Sequence, residues 1–182
     1  ITNSTITNNS AGGPGGGGIA MAGGTVNLKN TIVANSASGG NCLGTMTSTA
    51  NNLDSDGTCG LAGSGDLSST DPLLGPLADN GGPTQTHALL PGSPAIAAGS
   101  PNCPPPARDQ RGVTRPIDGD AVPGARCDIG AYEAPVPVPT PTPGPVKKGN
   151  VNCDGVVNSV DALMILRSVA GLPVTADCLD TA

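Results

Sequence analysis

Two short stretches near the start of the chain resemble each other: NSTITNNSA, beginning at Asn3, and KNTIVANSA, beginning at Lys29. Each sets β-branched residues between Asn and Ser. Ile6 and Val33 stand 27 residues apart, with a Gly-rich segment and GTVNL between them. A repeat of about 20 to 30 residues with short strands and Asn turns points to a solenoid. In such a stack each coil turns at Asn or Gly, and Ile or Val stack from coil to coil. The competing reading of the same residues is a Gly/Asn-rich arm without fixed structure.

Composition narrows what the core can be. The chain of 182 residues holds 28 Gly and 19 Pro, one Tyr, and no Trp or Phe. Apolar residues make up 36 %, against roughly 45–50 % in ordinary domains. A core built on large rings is excluded, and any core is layered from Ile, Val, Leu and Ala. The formal charge is −6 and the pI about 4.4. That balance argues against nucleic acid and anionic membranes, which call for a basic patch, and is compatible with cations. No apolar run approaches the ~18 residues of a membrane span. Ile1 opens inside a strand pattern without an initiator Met, so the expectation is a fragment with any export signal upstream.

Residues 1–50 resemble the last coils of a right-handed parallel β-helix of secreted bacterial proteins. Residues 51–134 alternate short apolar runs with Pro and Gly breakers. The strings DPLLGPLADNGG, THALLPGSPAI and CDIGAYE within them closely resemble the choice-of-anchor region that follows such coils in bacterial surface and secreted proteins. The resemblance implies a structural end-piece covering the open strand edges of a solenoid. One departure is Ala97, where the family usually carries Asp after PAI; its absence removes a turn or cap contact.

Residues 135–148 begin PVPVPTPTPGP. Proline at every second position excludes helix and central strand. The expected form is a semi-rigid polyproline II linker spanning roughly 34 Å.

Residues 149–182 form a second module, too small to be stable by burial alone. In GNVNCDGVVNSVDALMILRSVAGL, a loop counted from Asn150 places Asn152 at position 3, Asp154 at 5, Gly155 at 6, Val156 at 7, Asn158 at 9 and Asp161 at 12. Oxygen atoms at this spacing converge on one point, as Ca²⁺ requires: side chains at 1, 3, 5 and 12, the backbone carbonyl of Val156, and Asn158 directly or through water. The general EF-hand loop carries Asp at position 1 and Glu at position 12; here they are Asn150 and Asp161, and the Asp at position 12 has a meaning. The loop resembles the type I dockerin repeat, D-x-N-x-D-G-x-V-N-S-x-D before a helix, through Val157, Asn158, Ser159, DALMILR and AGL. Only Asp154 and Asp161 bring charge to the ion, so affinity should lie near 10⁻⁴ to 10⁻³ M. The competing reading is a Gly-Asn turn in which Asn158 caps the helix without metal.

The expected helix covers residues 160–170 and is apolar nearly all round, so it must bury itself on something. Dockerins meet that need by pairing two repeats. Here the second is missing, and ADCLDTA looks like its lead-in. By the same resemblance, Ser159, Val160 and Arg167 are the residues that would recognise a cohesin-type partner.

Six cysteines, Cys42, Cys59, Cys103, Cys127, Cys153 and Cys178, contain no C-x-x-C pair, which argues against zinc. They allow fifteen connectivities. Pairing in sequential order is the simplest, and reduced structural thiols are the alternative.

Parallel β-helix proteins include polysaccharide lyases and glycoside hydrolases, which need paired carboxylates or calcium with a basic residue. The candidates are Asp54, Asp56, Asp66, Asp71, Asp109, Asp118, Asp120 and Asp128, with Arg108, Arg111, Arg115 and Arg126. Most lie beside Gly or Pro, where turn formation and surface ion pairs are the plainer reading. The lone His87 reads as a structural hydrogen-bonder. The reading of the whole is a mostly β, non-catalytic piece of a secreted or surface protein with a calcium-binding docking module. The alternatives are the tail of a carbohydrate-active enzyme and an adhesin or stalk with purely structural calcium.

Overall fold

The 27-residue repeat folds as a ladder of parallel strands. In a computed structural model, strand β1 (Thr5–Thr7) pairs in parallel with β4 (Ile32–Ala34), and Ile6 lies opposite Val33. Residues 1–13, 15–117 and 124–135 are described, together with Leu163 and Ala170. The chain divides into two compact units, Ile1–Pro137 and Val138–Ala182, and the division falls within the Pro-rich stretch. The described structure is mostly β.

Between β1 and β4 come β2 (Ile19–Ala20) and β3 (Val26–Lys29); after β4 come β5 (Cys42–Leu43) and β6 (Met46–Ala50). β2 pairs in parallel with β5, and β3 with β6. Each strand therefore meets the strand three places later: the chain visits three ladders in turn and comes back one level on. The first ladder continues through β7 (Leu53–Asp54) to β8 (Leu67–Ser68), in the order β1-β4-β7-β8. Successive partners Thr5, Ile32, Leu53 and Leu67 show the return path shortening at each level. Parallel pairs require such crossovers, since a tight hairpin cannot join them.

The corners are set by residues that tolerate a left-handed backbone. Asn3, Asn30 and Asn51, at φ of 49°, 51° and 53°, and Gly65 at 73° each stand two residues before a strand of the first ladder. Asn is among the few side chains that enter this region at small cost. The Asn turns of the repeat are thus its corners.

Strand alternation sends neighbours to opposite faces, and the middle strands of the first ladder, β4 and β7, are buried on both. On one face Ile32 and Leu53 pack with Leu89, Ala95, Ile129 and Tyr132. On the other, Val33 packs with Ile19, Leu28, Cys42, Met46, Cys59 and Leu61, and Ile6 lies against the same cluster. The core is aliphatic, as the composition requires, with Tyr132 as its one ring.

The last level closes on its own side chains. The N–H of Asn41 donates to Asp56 Oδ2 at 2.8 Å, that of Cys42 to Thr58 Oγ1 at 2.9 Å, and that of Asn52 to Asp66 Oδ1 at 2.8 Å. Asn41 and Cys42 stand at β5, the outer strand of its ladder, where free donors would otherwise invite another chain.

Residues 72–117 and 124–135 cover the Ile32 and Leu53 face of the first ladder. β9 (Leu74–Ala78) and β10 (Thr86–Leu89) form an antiparallel pair. The final described segment returns to the first ladder: Ile129 N–H donates to the Ala95 carbonyl, Gly130 N–H to the Asn30 carbonyl, and Ala131 N–H to Thr5 Oγ1. Disulfides join Cys42 to Cys59 and Cys103 to Cys127, two of the three sequential pairs. Cys153 and Cys178 lie outside the described residues.

Candidate functional site

The proposed calcium ligands Asn150, Asn152, Asp154, Val156, Asn158 and Asp161, and the partner-facing Ser159, Val160 and Arg167, all lie outside the described residues. So does the linker beyond residue 135. Of the helix expected over residues 160–170, Leu163 has helical backbone and is 56 % exposed, and Ala170 lies in a turn. Among the described residues, no group of three or more His, Cys, Asp or Glu is placed to hold a metal ion. No helix among them is long and apolar enough to cross a membrane.

The chemistry-bearing residues that are described separate into turn formers and a buried charge cluster. Thr58 N–H donates to Asp56 Oδ1 at 3.0 Å, Gly63 N–H to Asp66 Oδ2 at 2.6 Å, and Leu73 N–H to Asp71 Oδ1 at 2.9 Å. These are the side-chain turns expected beside Gly and Pro. His87 Nδ1 lies 2.8 Å from the Gly75 carbonyl oxygen, a bond within the β9–β10 pair. Asp118 and Asp120 lie outside the described residues.

Asp54 differs. It follows Val33 in the first ladder and is fully buried. Its Oδ1 accepts from Asn41 Nδ2 at 2.8 Å and its Oδ2 from the Cys59 N–H at 2.9 Å. Burial pushes its carboxyl above the ordinary range, against the lowering effect of those bonds.

The charge cluster pins the CDIGAYE segment. Asp109 Oδ1 accepts the N–H groups of Arg111 and Val113, and Oδ2 accepts the Glu133 N–H at 3.0 Å. The Arg111 guanidinium meets Asp109 Oδ2 at 2.9 Å through Nε and 2.7 Å through Nη2. It also reaches the Glu133 carbonyl and stacks 3.6 Å from the centre of the Tyr132 ring. Burial raises the Asp109 carboxyl, but the Glu133 N–H and Arg111 outweigh it and hold it below its ordinary value.

Arg115 forms the second pair. Its Nη1 lies 3.1 Å from Glu133 Oε2, and both side chains are fully buried. Nη1 also donates to the Asp128 carbonyl and Nη2 to the Gly130 carbonyl. Glu133 accepts the Ile117 N–H on Oε1 and the Asp128 N–H on Oε2. Burial pushes its carboxyl up to about 7, with Asp128 adding to the rise and Arg115 opposing it. Burial likewise pulls the Arg115 guanidinium down.

The expectation of surface ion pairs is thus corrected. The two pairs found among the described residues, Asp109–Arg111 and Arg115–Glu133, are buried, because the segment that carries Glu133 runs through the interior. Glu133 was not among the sequence candidates; an acidic residue closing an apolar string offered the only signal. A carboxyl raised to about 7 suits proton transfer, but this one is fully buried and its oxygens are held by backbone N–H groups and Arg115. The arrangement locks a chain segment in place.

No protein-family model, no curated protein and no solved structure matches the chain.

Proposed function

We propose that the chain is a non-catalytic, docking part of a secreted or cell-surface protein. Residues 1–50 are the end of a right-handed parallel β-helix, and residues 51–134 are its choice-of-anchor type cap. Residues 135–148 are a Pro/Thr linker, and residues 149–182 are a dockerin-like repeat that binds Ca²⁺ and docks to a cohesin-type domain. A polysaccharide-degrading or surface assembly is the natural setting. The β-helix reading draws support from the three parallel ladders. Extracellular placement draws support from two disulfides, which persist in oxidising compartments.

The observation that carries the docking reading is the spacing of oxygen-bearing residues from Asn150 to Asp161. Every candidate donor is oxygen, the ligand type that a hard divalent cation takes. Ca²⁺ supplies a fixed centre on which the loop can order. Asn150, Asn152, Asp154, Asn158 and Asp161 would hold it, with the Val156 carbonyl, leaving Ser159, Val160 and Arg167 for a partner.

The test is capture of the full chain on immobilised type I cohesin domains, in Ca²⁺ and in EDTA. Capture in Ca²⁺ that disappears in EDTA, and weakens in a Ser159→Ala, Val160→Ala double variant, supports docking. Calcium binding without capture by any cohesin supports the stalk reading instead.

A further inference from the structure

Residues 127–134 are the last stretch before the Pro-rich segment, and they belong to no helix or strand. They are held all the same. Ile129 N–H donates to the Ala95 carbonyl at 2.9 Å, Gly130 N–H to the Asn30 carbonyl at 2.9 Å, and the Ala131 carbonyl accepts the Gln110 N–H at 3.0 Å. The hold is densest at Glu133. Its N–H donates to Asp109 Oδ2 at 3.0 Å, and its carbonyl accepts from Arg111 Nη2. Its carboxyl meets Arg115 Nη1 at 3.1 Å and accepts the Ile117 N–H at 2.9 Å. Tyr132 beside it carries the Arg111 guanidinium on its ring.

The four residues that grip Glu133 come from one closed loop. Asp109, Arg111, Arg115 and Ile117 all lie between Cys103 and Cys127, and a disulfide joins those two cysteines. This fixes the covalent path of a pull on the chain beyond Ala134. Tension runs back to Cys127, crosses the disulfide to Cys103 and continues toward the ladders. Residues 104–126 lie off that path. The groups that hold Glu133 are therefore not drawn out by the load they resist, and a slip pays out no chain beyond Cys127. Withdrawal of Glu133 is itself opposed, because it leaves the Arg115 guanidinium buried without its carboxyl partner.

We propose that residues 127–134 are a load-bearing strap, with the grip on Glu133 and Tyr132 as its clamp and the Cys103–Cys127 disulfide as its backstop. The source of the load rests on the docking reading: a module held by a partner at the far end of a Pro-rich linker pulls on that linker. The clamp and the backstop rest on the geometry alone.

The test is optical-tweezers pulling of the full chain. Handles are joined to azidophenylalanine in place of Leu43, which is exposed, and of Pro137, the end of the first unit. Load then crosses the strap but not residues 138–182, so failure here is distinct from failure of the docking reading. The expected first event frees no more than residues 128–134, roughly 25 Å at ~3.5 Å per residue. In a Cys103→Ser, Cys127→Ser variant it lengthens by roughly 80 Å, the separation of 24 residues at the same rise. Glu133→Gln lowers the force of the event. Should that variant fail to fold, Arg111→Lys keeps the charge, loses the fork that spans Asp109 and the Glu133 carbonyl, and reads the same clamp. Asn52→Ala, which loses buried bonds within the ladder, leaves the event unchanged. A first event of equal length with and without the disulfide, wild-type force in both clamp variants, or an equal loss of force in Asn52→Ala would each overturn the proposal.

Discussion

The side-chain amide of Asn30 donates a buried 2.8 Å hydrogen bond to the main-chain carbonyl of Asp128, 98 residues further along the chain. The same amide donates to Asn3 Oδ1 at 2.8 Å, and Asn30 Oδ1 accepts the Ser100 N–H at 3.2 Å. One corner residue of the first ladder thus ties together two levels of the ladder and the segments that cover it. A side chain at Gly99 would stand 2.4 Å from both Asn30 Oδ1 and the Cys127 carbonyl, so the contact also dictates a glycine.

Asn30→Ala removes those bonds and leaves a residue without Asn's tolerance at φ 51°. With about 1 kcal/mol for each of the three bonds and about 1 kcal/mol for the left-handed backbone, the expected loss is roughly 4 kcal/mol. Urea unfolding measures it. Asn30→Gly accepts the backbone and loses only the bonds, so it should fall between the two; equal losses in Ala and Gly would remove the backbone part of the argument.

Ala97 offers the opposite case. It holds φ 51° while its N–H donates to Asp128 Oδ1 at 2.8 Å. Alanine gains nothing there and carries left-handed strain of about 1–2 kcal/mol. Ala97→Gly keeps the hydrogen bond and relieves the strain, less about 0.5–1 kcal/mol of chain entropy. A gain of roughly 0.5–1 kcal/mol is expected, and a loss of stability would contradict the strain argument.

Glu133 gives the fold a dependence on pH. Its carboxyl is raised from 4.5 to about 7 by burial, so the folded state holds a proton that the unfolded state releases. Stability from this group therefore falls as pH rises from about 4.5 to about 7. Asp54, also raised from 3.8 by burial, acts in the same direction above 3.8. Asp109 is lowered, and its contribution is lost as pH falls below 3.8. Thermal unfolding of the wild type should show a maximum in mildly acidic buffer and a decline toward neutrality. Glu133→Gln should flatten that decline, even if it costs stability at pH 5.

The disulfides constrain the unfolded chain. Cys42–Cys59 and Cys103–Cys127 close separations of 17 and 24 residues, worth about 3 kcal/mol each by loop entropy. Removal of Cys42–Cys59 should cost more than that figure, because both cysteines are buried in the inner core. Unfolding of a Cys42→Ala, Cys59→Ala variant beside a Cys103→Ala, Cys127→Ala variant measures the difference.

Legibility in the sequence followed repetition. The match between NSTITNNSA and KNTIVANSA predicted the pairing of Ile6 with Val33 because both levels share one coil length. The ladder past residue 50 left no such trace: the partners Ile32, Leu53 and Leu67 are separated by shrinking intervals, and Asp54, read from the sequence as a turn former, takes the ladder position next to Val33. The covering segment was legible as turns but not as a charge cluster. Asp109, Arg111, Arg115 and Glu133 meet only after the chain has folded back, and neither their burial nor their pairing has a local signature. The cysteine pairs were legible as the simplest of several pairings, and two of them stand in the structure.

The central claim, a calcium-dependent docking module, is tested most directly by calorimetric titration of the full chain with Ca²⁺, wild type beside Asp154→Ala. The account predicts one saturable site with a dissociation constant of roughly 10⁻⁴ to 10⁻³ M that vanishes in the variant. Absence of saturable heat in the wild type, or equal binding in Asp154→Ala, would contradict it.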